Sequence, residues 1–528
     1  MLHLLTTQLL PGDNNDVTKK ERVVILGSGW AGYAFARTLD PSKFERIVVS
    51  PRSYFVFTPL LASTAVGTLE FRTVLEPVRR IKGGVGFYQG WADDVDFANK
   101  TITVEANAAE DPASTKPFTP TPVTSSSATA LAPRQPKGEQ FSLQYDKLVI
   151  ACGAYSQTFG IEGVREHANF LRDVGDARRI RLRVLSIFEQ CAYPTNRSSG
   201  GMTDDERRKL LHFAIVGGGP TGIEYAAELH DLIYEDLAKL YPQLIQFVKI
   251  SVYDVAPKVL PMFDQNLANY AMKMFQKSGI EVLTQHHLER IRVADGDLGK
   301  VHGGLSIKIK EYPEEVGAGM VVWSTGLMQN PFVHKIAGKK FSLASKGQDH
   351  YENDSPAKKE PLRHLVTDPR TGSIMVDPFL RARTALSDPS ATGTNGNGNG
   401  NGNGNGSILK DVFVLGDCSM IESGPHKSLP KTAQVASQQA LYLAKQLNRC
   451  SDLSTHKEPF HFRNWGAMTY LGNWKAIHQG PASDLKGAAA WVFWRTAYLT
   501  KSMSVRNKIL VPVYWFVSWL FGRGISRF

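Results

Sequence analysis

The chain has 528 residues, of which 42% are hydrophobic and 21% charged, and its formal net charge at pH 7 is +11. This composition is typical of globular proteins and excludes a disordered chain, a collagen-like chain and a polytopic membrane protein. The length predicts about two to four domains with sizeable cores. The four cysteines form no CxxC or CxxxxC pair, so a disulfide framework, a zinc ribbon and a dithiol redox centre lack support.

Residues 1–20 form an N-terminal tail with only weak targeting features. Its short apolar run, residues 4–10, lacks the preceding positive charge of a secretory signal. The tail also lacks the Arg-rich character of a mitochondrial presequence. The tail alone therefore predicts no compartment.

A first nucleotide-binding pattern follows the tail. Its predicted elements are a strand at 22–26, a GSGWAG turn at 27–32, a helix to Leu39 and a strand at 46–50. In such a turn Gly27 allows the tight bend, Gly29 lets a pyrophosphate approach, and Gly32 lets the helix pack on the strand. The helix N-terminus then faces the phosphate. The second strand ends in Ser50-Pro51-Arg52, without the acid that normally accepts the ribose hydroxyls, so this copy departs from the usual fingerprint.

The same pattern recurs nearly two hundred residues later. Its predicted elements are a strand at 212–216, a GGGPTG turn at 217–222, a helix from 223 to about 240 and a strand at 249–253. The turn glycines are Gly217, Gly219 and Gly222. Asp254 ends the second strand, where a carboxylate accepts a free 2′-OH and repels a 2′-phosphate. This copy therefore predicts a preference for NADH over NADPH.

Three further runs fit two nested nucleotide domains. The strand 411–415 ends at Gly416-Asp417, and the runs 148–153 and 321–326 are typical of strands that return the chain between such domains. Each run alone also fits a buried strand with a turn. Together they predict an α/β chain with two nested Rossmann-like domains. The predicted parts are an N-terminal tail (1–20), a first nucleotide-binding domain in two parts (21–205 and 331–455), a second nucleotide-binding domain (206–330) and a C-terminal membrane-associating domain (456–528). The first domain carries a polar insertion at 106–138 and an Asn-Gly insertion at 385–408.

The last 44 residues are basic and aromatic. From Leu485 onward the chain carries seven basic residues and no acidic one. The best apolar window, residues 509–521, reaches about 20 Å as a helix, against about 30 Å for a bilayer core, so we expect it not to cross. The stretches 488–499 and 505–521 predict amphipathic helices in a membrane interface. A buried C-terminal helix or a dimer seam is the alternative, and nucleic acid is not expected.

Several stretches carry a specific family resemblance. They are GSGWAGYAFARTLD, VVSPRSYFVFTPLLASTAVGTLEFR, GAYSQTFGIEGV, GGGPTGIEYAAELHD, MFDQNL, VLGDCS, TAQVASQQALYLA and the tail from WRTAYLTKSMSVRNKIL to WLFGRGISRF. On these the chain resembles the type II, rotenone-insensitive, non-proton-pumping NADH:quinone oxidoreductases of the fungal and plant kind, from about residue 22 to the C-terminus. The SPR sequence after the second strand is usual in that family. Some members carry an EF-hand, and this sequence has no such pattern.

The resemblance implies a role for each matching residue. The FAD positions are Gly27, Gly29, Trp30, Ala31, Gly32, Ser50, Pro51, Arg52 and Asp417. The NADH positions are Gly217, Gly219, Pro220, Thr221, Gly222, Asp254 and Gly326. Glu224 matches a family glutamate close to the flavin and nicotinamide, and an acid stabilised by the helix dipole is an equally good interpretation. Gln434 and Gln438 match the quinone motif and lie four apart on one face of a helix predicted at 432–447, although glutamines so spaced also suit a solvent-exposed face.

The resemblance thus implies a peripheral flavoenzyme of the mitochondrial inner membrane. It would pass a hydride from NADH to FAD and two electrons to ubiquinone, without a metal and with a homodimer as one arrangement. An apoptosis-inducing-factor-like protein and a fungal secondary-metabolism oxidoreductase are alternatives. A sulfide:quinone oxidoreductase is a third and would need reactive cysteines, for which Cys152 and Cys418 are the only conceivable pair.

Overall fold

The computed structural model describes residues 20–107, 138–194, 201–342, 361–387, 407–424, 426–451, 458–481 and 483–526. The predicted N-terminal tail and the predicted insertions at 106–138 and 385–408 lie almost wholly outside these residues. The predicted site residues all lie in described parts of the chain.

The elements follow one another in three groups. The first group is β1 (Glu21–Leu26), α1 (Trp30–Thr38), β2 (Phe44–Ser50), β3 (Tyr54–Val56), α2 (Leu61–Ala65), β4 (Leu75–Pro77), β5 (Gly86–Asp96), β6 (Thr101–Ala106), β7 (Gln140–Gln144), β8 (Lys147–Ile150) and β9 (Ala154–Ser156). The second group is α3 (Val164–His167), β10 (Asn169–Phe170), α4 (Val174–Cys191), α5 (Asp204–Leu210), β11 (His212–Val216), α6 (Pro220–Asp231), α7 (Ala238–Leu240), β12 (Lys249–Asp254), α8 (Gln265–Lys277), β13 (Glu281–Thr284), β14 (Leu288–Val293), α9 (Gly296–Lys300), β15 (Leu305–Ile309), β16 (Val316–Ala318), β17 (Met320–Trp323) and β18 (Leu327–Gln329).

The third group completes both the first domain and the C-terminal part. It is α10 (Pro331–Ala337), β19 (Arg363–Leu365), β20 (Ile374–Val376), β21 (Arg381–Leu386), β22 (Ser407–Val414), β23 (Ser419–Ile421), α11 (Ala433–Arg449), β24 (Ala467–Tyr470), β25 (Ala476–Gln479), β26 (Asp484–Gly487), α12 (Ala488–Lys501) and α13 (Val505–Phe521). A π-helical turn, Leu232–Leu237, joins α6 to α7.

The first sheet is assembled from both ends of the chain. Its order is β23-β20-β21-β22-β8-β1-β2-β5-β6-β7, so β22, more than 250 residues after β8, lies beside it. The strands β22, β8, β1 and β2 are parallel, and the register pairs Val24 with Ile47 and with Leu148. Val23, Val24 and Ile25 are fully buried, as expected for a parallel strand covered on both faces. The sheet thus joins strands from residues 21–150 with strands from residues 374–421, and the bounds predicted for the domains stay a prediction.

The second sheet is parallel throughout and has the order β10-β17-β11-β12-β13. It carries the second glycine turn after β11. Its edge strand β10 comes from Asn169–Phe170, outside the predicted range 206–330. A two-residue strand has no periodicity of its own, and only the pairing with Val322 and Trp323 reveals it.

The C-terminal part combines an antiparallel sheet, β24-β25-β26, with the helices α12 and α13. Both helices agree with the predicted stretches, whereas the sheet was not predicted from the sequence. Its strands have only four residues each, AMTY, AIHQ and DLKG, which is too short for a clear alternation. Among the described helices, none has the length and apolar character to cross a membrane.

Candidate active site at the two nucleotide turns

The first glycine turn has the geometry that its sequence predicts. Gly27 has a φ of +110°, which favours glycine, and its N–H donates to the carbonyl of Val49 over 2.8 Å. A Cβ at Gly32 would lie 2.0 Å from the carbonyl oxygen of Gly27, so a side chain there would separate the helix from the turn. A Cβ at Gly29 would meet nothing within 4 Å. The open space above Gly29 is where the sequence predicts a pyrophosphate.

Hydrogen bonds and an ion pair between neighbouring side chains stabilise this turn. The Ser28 and Ser50 hydroxyls are buried and lie 2.9 Å apart, and the Ser50 hydroxyl also accepts from the N–H of Arg52 over 3.2 Å. The Arg52 Nε lies 2.7 Å from the Asp173 carboxylate. The Trp30 indole N–H donates to the Thr58 hydroxyl over 3.0 Å. The turn is therefore held by its own side chains, and contacts of Ser50, Pro51 and Arg52 with a ribose stay a prediction.

Asp417 lies in the same domain, directly after β22. Gly416 precedes it with a φ of +73°, and the Gly416 N–H donates to the buried Gln439 side chain of α11 over 2.7 Å. Burial raises the pKa of Asp417, against the nearby cations Arg172 and Lys431. β22 is parallel to β8, which is parallel to β1, so Asp417 and the first glycine turn lie at the same end of one sheet.

The second glycine turn repeats the first. Gly217 has a φ of +115°, and a Cβ at Gly222 would lie 2.0 Å from the Gly217 carbonyl oxygen. A Cβ at Gly219 would meet nothing within 4 Å. Pro220 is the first residue of α6, where its missing N–H costs no hydrogen bond, and Thr221 beside it is exposed. The second turn therefore has the same open space above Gly219 that the first turn has above Gly29.

Two more predicted residues lie beside this turn. The Asp254 carboxylate accepts from the Gly218 N–H and, over 2.7 Å, from the Ala256 N–H. These donors fix the carboxylate at the end of β12, the position expected for ribose recognition. Gly326 has a φ of +76°, and a Cβ there would lie 2.7 Å from the carbonyl oxygen of Gln157.

The N-termini of the two turn helices carry glycine in place of a capping side chain. The Ncap residues of α1 and α6 are Gly29 and Gly219, and neither helix has a side-chain cap. By contrast, α4, α5, α8, α10, α11 and α13 are capped by Asp, Thr, Asn or Ser side chains. Uncapped N–H groups beneath open space are suited to bind phosphate oxygens. The residues present at both turns therefore fit a dinucleotide.

Glu224 lies in the first turns of α6 and is 8% exposed. Its Oε1 accepts from the Tyr470 N–H over 3.2 Å and from the Trp494 indole N–H over 3.4 Å. Burial raises the pKa of Glu224 to about 8, although both hydrogen bonds act in the opposite direction. At pH 7 this carboxyl group is therefore mostly protonated. The C-terminal part supplies both of its donors.

Two further acids, Glu228 and Asp231, continue the same face of α6 and were missed in the sequence. They are 5% and 2% exposed. Glu228 accepts from the hydroxyls of Ser63 and Thr68, and Asp231 accepts from the Tyr470 hydroxyl over 2.6 Å. The acids lie four and seven residues after Glu224, and that spacing in an otherwise apolar helix is the signal that would have found them.

The C-terminal tail brings a cation to these acids. The Arg523 guanidinium lies 2.7 Å from both Glu235 and Asp236 of the π-helical turn, and its Nε donates to the Thr68 hydroxyl over 3.0 Å. Arg495 of α12 stacks on Trp491 and Trp515, each 4.4 Å from the ring centroid. The acid-rich side of α6 is thus covered by cationic and aromatic side chains of the C-terminal part.

Gln434 and Gln438 lie on one face of α11, as predicted. Both side-chain amides bond to backbone of residues 463–466, which lead into β24. Their contact with a quinone stays a prediction.

The two candidate redox cysteines are poor nucleophiles. The Cys418 thiol is buried and lies 3.2 Å from the Leu415 carbonyl oxygen, and burial raises its pKa to about 11. Burial also raises the pKa of Cys152 well above its ordinary value. Because the thiolate is the reactive form, this pair gives little support to chemistry of the sulfide:quinone oxidoreductase type. No metal-binding group of three His, Cys, Asp or Glu residues occurs within the described ranges.

Comparisons with known proteins identify the family. The model of the pyridine nucleotide-disulphide oxidoreductase family matches residues 21–348, and that of the NDH2 C-terminal domain matches residues 465–524. A probable NADH dehydrogenase of Dictyostelium discoideum is 34% identical over 97% of this chain and 92% of its own length. The mitochondrial external alternative NAD(P)H-ubiquinone oxidoreductase B1 of Solanum tuberosum is 33% identical, with the same coverage of both chains.

The chain belongs to the type II NADH dehydrogenase family. It is therefore an oxidoreductase, and its cofactors are FAD and NADH. The predicted fold is confirmed by a solved structure of NDH2 from Plasmodium falciparum in complex with NADH. That structure has a TM-score of 0.73 and 24% identity, and the alignment covers 96% of this chain and 100% of that one.

Other solved structures share only the fold. A sulfide:quinone oxidoreductase of Aquifex aeolicus aligns with a TM-score of 0.58 at 16% identity, over 96% of each chain. The nested nucleotide domains are therefore a scaffold common to different reactions, and the site residues must distinguish them.

Proposed function

We propose that this chain oxidises NADH at bound FAD and reduces ubiquinone at the surface of the mitochondrial inner membrane, without pumping protons. The observation that carries the proposal is the environment of Glu224. The helix of the second nucleotide turn meets the C-terminal part there, through Tyr470 and Trp494. Glu224 of α6 is therefore buried where the second nucleotide turn contacts the NDH2 C-terminal domain. The name of the Dictyostelium relative supports oxidation of NADH, and the name of the potato relative supports reduction of ubiquinone.

The first turn is the proposed FAD site. The N–H groups of Gly29, Trp30, Ala31 and Gly32 would face its pyrophosphate, the turn at Ser50–Arg52 would lie against its adenosine part, and Asp417 would reach its ribityl chain. When bound, FAD accepts a hydride from NADH and delivers two electrons to the quinone. The protein's own contribution is to bind and orient both nucleotides and to keep the reacting region free of water.

The second turn is the proposed NADH site. The pyrophosphate would be held by the turn residues Gly217, Gly219, Pro220, Thr221 and Gly222. Asp254 would bind the ribose, and Gly326 would form the turn beside the nicotinamide end. The Asp254 carboxylate is already oriented by two backbone donors, and it would lie against a 2′-phosphate if NADPH bound. This arrangement supports NADH as the preferred substrate.

Glu224 gives a prediction on pH dependence. Its raised pKa means that the group is protonated at pH 7 and ionises as the pH rises through about 8. A carboxylate at this position would oppose the arrival of negative charge on the flavin, whereas the protonated acid would not. We therefore expect the rate of flavin reduction by NADH to fall as the pH rises through about 8.

Glu224→Gln should remove this fall, because an amide keeps the acceptor for Tyr470 and Trp494 but does not ionise. Anaerobic stopped-flow rates between pH 6 and 10 measure the effect. Glu228→Gln, one turn further along α6, should keep the fall but move it to lower pH, because the charge of Glu228 helps to raise the pKa of Glu224. A Glu224→Gln profile identical to wild type would contradict the assignment.

The quinone is proposed to bind beside α11, at the face that carries Gln434 and Gln438. This helix begins beside Gly416, whose N–H bonds to Gln439, so the same helix touches the turn that holds Asp417. A quinone at this face would lie between the flavin domain and the C-terminal part.

The C-terminal helices are the proposed membrane contact. On α13, Asn507, Val511 and Trp515 are buried, whereas the opposite face is exposed and apolar. The exposed residues of that face include Ile509, Val513, Phe516, Trp519 and Leu520. Arg506 and Lys508 are exposed at the start of the helix. Rings beside cations suit the boundary between acyl chains and lipid phosphates. The alternative is that the same exposed apolar face of α13 contacts a second copy of the chain in a homodimer.

Phe516→Ser combined with Trp519→Ser should lower binding to vesicles by about tenfold or more, because two large apolar rings no longer enter the lipid. Sedimentation with vesicles of phosphatidylcholine and an anionic phospholipid measures the bound fraction. Val301→Ser, at a residue that is 65% exposed in another domain, is the control. Equal binding of the double variant and wild type would contradict a membrane role for α13.

Steady-state kinetics test the whole proposal. The flavin-loaded protein is assayed with NADH and with NADPH, each with and without a soluble ubiquinone analogue. We expect fast turnover that needs both NADH and the quinone and is much slower with NADPH. Reduction of the flavin without any effect of quinone would refute the quinone part, and no reduction by either nucleotide would refute the function.

A further inference from the structure

Residues 458–466, here called the strap, cross the face of α11 that carries the two predicted quinone residues. The strap forms no regular helix or strand and leads directly into β24. Most of its residues are exposed, including Arg463, Asn464 and Trp465. Because the strap has no strand partner, its backbone groups bond to water or to side chains of neighbouring elements.

Three side chains of α11 supply those hydrogen bonds at a regular spacing. The Tyr442 hydroxyl donates to the Glu458 carbonyl over 2.8 Å. The Gln438 amide accepts from the Arg463 N–H and donates to the Arg463 carbonyl, both over 2.9 Å. The Gln434 amide accepts from the Trp465 N–H over 3.0 Å and donates to the Gly466 carbonyl over 3.3 Å.

The three residues are four apart and therefore form one stripe along the helix. The strap runs antiparallel to that stripe, since the later helix residue meets the earlier strap residue. Each glutamine pairs through its oxygen and its nitrogen at once, as a peptide group does in a strand. Tyr442 continues the stripe although it matches no part of the quinone motif. The stripe is thus explained by its contact with the strap.

The strap connects this stripe to the reacting region. Four residues after Gly466, the Tyr470 N–H donates to Glu224. Trp465 has its indole 5.1 Å from the Lys501 ammonium of α12. A shift of the strap on α11 would therefore move β24 and the contacts around Glu224.

We infer that Gln434 and Gln438 are positioning residues, which act on quinone reduction by holding the strap in place. The inference rests on the proposed function and specifies the role of these two residues in it. The strap forms the wall of the quinone site, and its position depends on the stripe of Tyr442, Gln438 and Gln434.

Three variants separate the two roles. Gln438→Leu removes both hydrogen bonds between Gln438 and Arg463. Arg463→Pro keeps the glutamine but removes the N–H from which its amide oxygen accepts. Tyr442→Phe removes only the hydrogen bond to the Glu458 carbonyl. We expect Gln438→Leu and Arg463→Pro to raise the KM for a soluble ubiquinone analogue by about five- to tenfold, and Tyr442→Phe by about two- to threefold. The double variant Gln438→Leu with Arg463→Pro should have a KM no more than about twofold above that of the more impaired single variant, because both substitutions remove the same contact. The rate with NADH and ferricyanide should stay within about twofold of wild type.

Three results would overturn the inference. A raised KM in Gln438→Leu with wild-type values in Arg463→Pro and Tyr442→Phe would mean that the amide touches the headgroup. Unchanged KM values in all three would mean that the strap has no role. An equal loss of flavin content and ferricyanide activity would mean a general structural role.

Hydrogen exchange provides a measurement that does not depend on activity or on the folding of Arg463→Pro. The Arg463 and Trp465 amides should be protected in the wild-type holoprotein, and the Arg463 amide should exchange at least about tenfold faster in Gln438→Leu. Equal exchange in the two proteins would overturn the inference. A wild-type protein that reduces ferricyanide but not quinone would refute the proposed function instead, and the exchange data would still show whether the stripe holds the strap.

Discussion

Gly32→Ala is expected to yield a protein that folds but purifies with less than about a tenth of the wild-type flavin and has no NADH-dependent activity. The added Cβ would lie 2.0 Å from the backbone carbonyl of Gly27, a distance that a real side chain never adopts. The helix α1 must therefore move away from the turn by about 1 Å or more, and such overpacking typically costs about 1–3 kcal/mol. The N–H groups of the first turn then no longer converge on the pyrophosphate.

The ratio of absorbance at 450 nm to that at 280 nm measures the flavin content of the purified variant. Gly29→Ala is an informative companion, because its Cβ would meet no protein atom within 4 Å. That variant should fold with wild-type stability and still lose flavin, since the methyl group occupies the approach of the pyrophosphate. Gly338→Ala, whose Cβ would be 3.8 Å from its neighbours, is the control for a harmless alanine. Full flavin content in Gly32→Ala would contradict the FAD assignment of the first turn.

Gly222→Ala is expected to distinguish the two nucleotide sites, because the variant should still bind the flavin but NADH should no longer reduce it. The new Cβ would lie 2.0 Å from the Gly217 carbonyl oxygen and 2.6 Å from the Ser324 hydroxyl. A displacement of about 1 Å at such a position typically lowers the rate about a hundredfold. The second sheet is separate from the first, so we expect the flavin site to remain intact.

Anaerobic stopped-flow reduction of the bound flavin measures this loss, and dithionite shows that the flavin itself stays reducible. Gly219→Ala should also lose NADH while folding normally, since nothing lies within 4 Å of its Cβ. If Gly222→Ala were reduced by NADH at a rate within about threefold of wild type, the NADH assignment of the second turn would be wrong.

The parts of the fold with strong local patterns were predictable. The strand at 212–216 agrees with β11, and the helix predicted at 432–447 begins and ends within two residues of α11. Continuous β-branched runs followed by glycine turns identify buried parallel strands without further information. The helix predicted from 223 to about 240 contains the π-helical turn Leu232–Leu237, which nothing in its periodicity indicates.

The parts that depend on distant contacts were not predictable. Glu224 owes its raised pKa to burial beneath Tyr470 and Trp494, which lie 246 and 270 residues further along the chain. The partner of Gln438 is a backbone group 25 residues away in a segment without regular structure. Residue type and spacing predicted a pair of amides on one helix face, but only the packing shows what they meet.

The most direct test of the account is an anaerobic double-mixing experiment that follows flavin absorbance at 450 nm. The wild-type holoprotein is first mixed with one equivalent of NADH and then with a soluble ubiquinone analogue. We expect the absorbance to be lost within milliseconds to seconds of the first mixing and to return after the second, with quinol formed in proportion to the NADH consumed. If the absorbance is lost but does not return with quinone, or if NADH causes no loss at all, the proposed transfer from NADH through the flavin to ubiquinone is contradicted.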